Sequence, residues 1–260
     1  DRFTTSRLQE LEVELNESST KILEIERDLF IEIRDSLKNY IDYLLKIASE
    51  VANTDVISSL AYAAMHNNWI CPEICDSTYF EIRDGRHPVV EAHLPTGEFV
   101  PNDSLISADE NDSIQSFDLI TGPNMAGKST YLRQNAIIAL LSQIGSYVPA
   151  SYAKIGIIDK IFCRVGASDN LAKGESTFLV EMMETANILR TATNRSLGIM
   201  DEVGRGTSTE EGLAIAQAVS EYLLNNIKCK SFFATHYHEL TRIEHKSIKK
   251  LCLNFNILLT

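Results

Sequence analysis

The chain has 260 residues, 44% of them apolar and 23% charged, close to globular averages; this excludes gross disorder and leaves room for one large domain or two modest ones. Its net charge of −12 argues against a large duplex-binding face, which needs clustered Lys and Arg to displace counterions. With no run of about 18 apolar residues for a membrane helix, no basic-then-apolar signal shape over residues 1–15 and five scattered cysteines that make no disulfide framework, the expectation is a cytoplasmic chain with reduced thiols and no membrane partner.

From the N-terminus, apolar residues recur every three or four positions: Leu8, Leu11, Leu15, Ile22, Ile25, Leu29, Ile33, Leu37, Tyr40, Leu44, Ile47 and Val51, with no Pro or Gly in residues 1–70. The spacing predicts one amphipathic helix over about 5–50, roughly 65 Å long at 1.5 Å per residue, and a second near 54–66. The register weakens where the stripe crosses Asn16, Ser18 and Ser19. Such a stripe suits packing on other helices of the same protein, with a homodimeric coiled coil as the alternative. Trp69–Asp76 reads as a connector in which Pro72 breaks helicity. Cys71 and Cys75 with His66 invite a metal reading, but a zinc site needs four ligands at tight spacing, and Cys163, Cys229 and Cys252 supply no second pair.

Beyond the connector the period changes, and a domain boundary is expected near residue 77. Short β-rich stretches occur at Tyr79–Arg83 and Val89–Ala92, and stronger ones at Phe117–Thr121, Ile161–Val165, Leu197–Asp201 and Ser231–Thr235. Helical patterns lie between them at about 128–145, 178–193 and 209–226. Strands alternating with helices of that length predict an α/β fold, a largely parallel sheet with helices on its faces.

The strand Phe117–Thr121 runs directly into Gly122, Pro123, Asn124, Met125, Ala126, Gly127, Lys128, Ser129 and Thr130. This is the pattern G-x-x-x-x-G-K-S between a strand and a helix, the context that makes it a phosphate-binding loop. Its glycines let backbone N–H groups curl round a phosphate, Lys128 reaches the β- and γ-phosphates of ATP, and the Ser129 hydroxyl can ligate Mg²⁺. The strand Leu197–Asp201 ends in Asp201 and Glu202, on the rim where open α/β sheets bind ligands. Asp201 is expected to hold Mg²⁺ and Glu202 to polarise the attacking water. His236, after a third apolar strand, is a candidate to sense or stabilise the γ-phosphate, although a lone histidine there is more often structural. Ser208 and Glu211 have capping-box spacing, so the plain role of Ser208 is a helix N-cap.

Taken together these strings resemble the ATPase domain of the MutS family of DNA mismatch-repair proteins, and the bacterial mismatch-recognition type more than its paralogues. The resemblance covers nearly the whole chain: Arg2–Thr5, Gly85–Val89, Thr121–Thr130, Gly145–Ala150, Ser176–Met182, Met200–Thr209 and Ala234–Tyr237. It implies a P-loop NTPase of the ABC ATPase class, C-terminally truncated at residues 77–260 and preceded over 1–76 by a helical lever segment that transmits nucleotide state. It further implies a homodimer through the ATPase domains, with Ser176 reaching the γ-phosphate in the partner's site, Thr207 and Ser208 near that interface, Phe99 and Asn102 around the adenine, and Asn124 near the phosphates. Mismatched duplex DNA, gripped by domains absent from this chain, and a MutL-type repair protein are the implied partners, and a nucleoid-associated location follows. Ala126 departs from the glycine of many members, and His238 stands where others have Phe or Leu. ABC ATPases of the SMC type carry a Leu-Ser-Gly-Gly signature where this chain has Ser176–Phe178, which disfavours them. A rival of another class is a non-catalytic interaction fragment whose truncation impairs the nucleotide site.

Overall fold

The structure, a computed structural model, describes residues 5–95, 97–123, 126–164 and 177–253. Of the residues singled out above, Arg2, Phe3, Thr4, Asn124, Met125, Val165 and Ser176 lie outside this set. The chain forms two compact units, Asp1–Ser59 and Leu60–Thr260.

The first unit is helical. Thr5 caps α1 (Ser6–Leu37) by accepting the Leu8 N–H, and a single 3₁₀ turn at Lys38–Tyr40 leads into α2 (Ile41–His66). The helix predicted for about 5–50 therefore ends at Leu37, and the one predicted for 54–66 starts at Ile41. Ser36 bonds back to the Ile33 carbonyl, a contact that bends helices, and the backbone tightens there without leaving the right-handed region. Across the expected gap Thr54 returns its hydroxyl to the Glu50 carbonyl at 2.8 Å, so its polar group is satisfied inside the helix. Ser19 and Thr20 do the same at the weak point of the stripe. No residue of α1 is buried.

In the second unit five strands form a wholly parallel sheet: β4 (Phe117–Thr121), β6 (Ile161–Arg164), β7 (Leu197–Asp201), β8 (Lys230–Ala234) and β9 (Ile248–Cys252), in the order β6-β7-β8-β4-β9. A second, four-stranded mixed sheet has the order β1-β5-β2-β3, from β1 (Glu73–Cys75), β2 (Tyr79–Gly85), β3 (Asn102–Ser107) and β5 (Tyr152–Gly156). The helices are α3 (Pro88–Glu91), α4 (Lys128–Gln143), α5 (Thr177–Thr191) and α6 (Thr209–Tyr222). This is the α/β class expected, a parallel sheet flanked by helices with a long helix before it.

The period-2 pleat of the parallel strands divides their apolar residues between two cores. Ile120, Leu197, Ile199, Phe232 and Ala234 pack with Leu132 and Ile138 of α4 and with Phe80, Ile82, Ile106 and Ile155 of the mixed sheet. Phe117, Leu119, Met200 and Phe233 face the other way, onto Ile188 of α5 and Ala216 and Val219 of α6. Both faces being covered, β4, β7 and β8 are buried at every position, which is why they read as continuous apolar runs.

Two expectations are corrected here and a third is refined. Val89–Ala92 is not a strand: Pro88 stands at the first helical position of α3 and His87 Nδ1 accepts the Val90 N–H, the two devices that start a helix. The connector Trp69–Asp76 contains β1, paired with β5, and Ile70 bridges to Val148. The last predicted helix stops as an α-helix at Tyr222 and ends in a π turn at Leu223–Ile227, closed by Lys228 in the left-handed region. Among the described residues no helix is long and apolar enough to cross a membrane.

Candidate functional site at the carboxyl edge of the parallel sheet

Ile120 and Asp201 both pair in register with Ala234, so β4, β7 and β8 end level and release their following residues side by side. Past that line the Thr235 N–H bonds the Ile120 carbonyl and the Glu202 N–H bonds the Ala234 carbonyl, each at 3.0 Å. Gly122, Glu202 and His236 thus leave the sheet along one edge.

The loop after β4 needs its glycines. Gly122 has φ +148, and a Cβ there would run into the carbonyl oxygen of Leu253. Gly127 caps α4 at φ 83, ψ 7, left-handed backbone that other residues adopt only at a cost. Between them the Ala126 N–H closes on the Pro123 carbonyl at 3.2 Å. The Ala126 methyl is buried at 3% exposure, so it occupies interior space. α4 then starts with Lys128, Ser129 and Thr130 at the sheet edge, with no side-chain cap at Gly127 and no acidic residue in its first turn. That end of a helix attracts anions.

Lys128 is 5% exposed, and its ammonium donates to the carbonyls of Gly122 at 2.5 Å and Pro123 at 3.2 Å. The Ser129 hydroxyl donates to Asp201 Oδ2 at 2.6 Å. Asp201 Oδ1 is buried and has no hydrogen-bond partner among the described residues. Burial raises the Asp201 carboxyl above the usual range; the Ser129 hydrogen bond opposes this, and the Glu202 charge adds to it. An unpaired buried carboxylate oxygen beside a serine hydroxyl is a hard-oxygen donor set of the kind that takes Mg²⁺, an ion commonly held by one or two carboxylates with waters and phosphates completing its shell. The set fits the metal expected here. Among the described residues no cluster of three or more His, Cys, Asp or Glu forms a dedicated metal cage.

Glu202 is half-buried with φ +53, a conformation uncommon for a non-glycine residue and one that gathers at functional sites. Its Oε2 is held 2.5 Å from Nη1 of Arg205, an exposed side chain that no sequence motif singles out for a role. His236 is exposed on the next strand end, its ring 3.9 Å centroid to centroid from that of Tyr237. Ser208 caps α6 by accepting the Glu211 N–H, and the Glu211 carboxylate accepts the Thr207 hydroxyl.

Phe99 is buried and the Asn102 side-chain amide bonds the Val100 carbonyl. The start of β3 is tied to α4 two ways: Tyr131 Oη reaches the Asp103 carbonyl and the Ser104 hydroxyl, and Gln134 reaches the Asn102 carbonyl. The Phe99–Asn102 segment is therefore fastened to the helix that carries Lys128.

Residues 118–258 match the family model described as MutS domain V. The chain belongs to the MutS family. Similar proteins include the DNA mismatch repair protein MutS of Treponema denticola, 58% identical over 260 residues that cover 98% of this chain and 29% of that protein. The protein of the same name from Treponema pallidum subsp. pallidum is 55% identical over 98% of the chain and 28% of its own length. That from Clostridium perfringens is 54% identical over 94% and 27%. The chain thus spans under a third of the length of these curated relatives.

Proposed function

We propose that the carboxyl-edge site binds and hydrolyses ATP with Mg²⁺, and that residues 77–260 are the ATPase domain of a DNA mismatch-repair protein, with residues 1–76 as its helical lever. The observation that carries this reading is the Ser129–Asp201 hydrogen bond of 2.6 Å beside the partnerless Asp201 Oδ1, at the mouth of a glycine-shaped loop that opens a helix. A magnesium ion held by Ser129 and Asp201 would neutralise the charge developing on the phosphates.

This chain's own groups do the rest. Lys128 exchanges the carbonyls of Gly122 and Pro123 for phosphate oxygens, and the backbone N–H groups of the loop other than Pro123, from Gly122 and Asn124, Met125, Ala126, Gly127, Lys128, Ser129 and Thr130, donate to the phosphates. Glu202 accepts the proton of the attacking water. His236 donates toward the γ-phosphate, and Phe99 and Asn102 flank the adenine. Ser176 of a second copy completes the γ-phosphate site, making the working unit an ABC-type homodimer. Nucleotide state then passes along the lever to mismatched duplex DNA, gripped by domains outside this chain, and to a MutL-type partner at the nucleoid.

Substituting Glu202→Gln tests the base. Phosphate release is expected to fall by roughly a hundredfold or more with ATP affinity kept, and unchanged turnover refutes the assignment. Mixing Ser176→Ala chains with Lys128→Ala chains tests sharing: in the mixed dimer one composite site escapes both substitutions, so activity absent from either variant returns. No recovery at any ratio contradicts action in trans.

A further inference from the structure

One residue in the turn after β7 is gripped from two sides, through its N–H and through its carbonyl. Gly204 donates its N–H to Glu181 Oε1 at 2.5 Å, and its carbonyl accepts the Tyr237 hydroxyl at 3.0 Å. Glu181 and Tyr237 are 4% and 3% exposed. Burial, followed by the charge of Glu181, holds the Tyr237 phenol above its ordinary pKa. Behind Glu181, its second oxygen lies 3.4 Å from Arg164 Nη2 at the end of β6, while Arg164 Nε faces the half-exposed Glu184 at 3.1 Å.

The elements joined here are three. Gly204 is two residues past Glu202, Tyr237 follows His236, and Glu181 sits in the head of α5. A second contact runs parallel to the first: a Cβ on Gly206 would lie 3.1 Å from Cβ of Phe178, so the same turn packs closely on the first residues of α5. Gly204 itself has φ +88 and no room for a side chain, because Gly212 of α6 fills the space. Two buried hydrogen bonds, one charge-assisted, are strict in geometry. The turn cannot shift alone without stranding a buried carboxylate and an N–H.

We propose that Glu181 and Tyr237 are positioning residues that fasten the head of α5 to the strand ends bearing Glu202 and His236, so that this head follows the nucleotide state of its own protomer's site. The inference rests on the nucleotide reading above. What each protomer presents from the head of α5 is then set by its own ligand as well as by contact with another chain.

Amide hydrogen exchange on the 260-residue chain, with and without Mg²⁺ and ATPγS, tests this. In the native chain nucleotide slows exchange in the peptide containing Lys128 and also changes exchange over residues 177–184, the latter by roughly tenfold, the scale of one buried hydrogen bond. The variant R164M/E181Q keeps an acceptor for Gly204 without the ion pair, and retains both responses. R164M/E181M and Tyr237→Phe keep the Lys128 response, while that of the α5 head shrinks to under about twofold. Tyr237→Phe, which removes one hydroxyl, keeps the test decisive if the methionine variant fails to fold. The proposal is overturned if the α5 head responds equally in all chains, does not respond in the native chain, or loses its response as fully with E181Q as with E181M. Absence of any nucleotide effect at Lys128 in the native chain defeats the nucleotide reading itself, a distinct result.

Discussion

Asp118 offers a prediction independent of any ligand. It sits in the middle of β4, paired in register with Phe232 of β8 and Lys249 of β9, and the pleat places its side chain on the α4 face with Ile120. The residue is fully buried and neither carboxylate oxygen has a hydrogen-bond partner among the described residues. Burial pushes its pKa from 3.8 up to about 7, with Lys249 opposing. The folded protein therefore keeps the proton up to about pH 7, whereas the unfolded chain releases it near 3.8. Folding takes up a proton in that window, and stability falls as the pH rises across it. The gap between the folded and unfolded pKa corresponds to at most about 4 kcal/mol, less whatever water entry relieves. Asp118→Asn has no such titration. Urea unfolding at pH 5, 6, 7 and 8 is expected to show native stability falling relative to the variant by a few kcal/mol, with the change complete near pH 8. Parallel curves for the two proteins across that range would refute the reasoning.

Three further outcomes follow from the site. Gly204→Ala forces a side chain into φ +88 against the backbone of Gly212, so thermal unfolding should show a loss of roughly 1–3 kcal/mol or more; an unshifted melting point contradicts the packing described. Ser129→Ala removes the hydroxyl beside Asp201, and ATP affinity should lose most of its dependence on Mg²⁺ in titrations with and without EDTA. Arg205→Ala frees Glu202 while leaving Lys128 in place, so ATP affinity by calorimetry should stay within about twofold, since an exposed ion pair contributes little energy.

What the sequence makes legible follows burial. β4, β7 and β8 are covered on both faces and stand out as apolar runs, and the phosphate loop between β4 and α4 carries its own spacing. β3, β5 and β9 do not stand out. β9 is an edge strand whose Lys249 and Lys250 break the apolar pattern, as edges that must not pair with other chains tend to; β3 opens with Asn102 and Asp103. α3 is hidden because its β-branched pair, Val89 and Val90, outweighs the single turn set by His87 and Pro88. Within the site, the Ser129–Asp201 pair joins two segments that each carry a motif. The grip on Gly204 was not legible, since Glu181 precedes it by 23 residues and Tyr237 follows by 33, and only the packing of α5 and β8 against β7 brings them together. Asp118 was hidden differently: a single acid inside an apolar strand does not disturb the strand reading, and its isolation shows only once β8, β9 and α4 surround it.

The central claim is that the carboxyl edge of the parallel sheet takes nucleotide. Calorimetric titration of ATP with Mg²⁺ into the native chain and into Lys128→Ala tests this most directly. The expected result is saturable binding to the native chain and an affinity lower by more than about tenfold, or 1.4 kcal/mol, in the variant. Equal affinity in both, or no binding to the native chain, would contradict it.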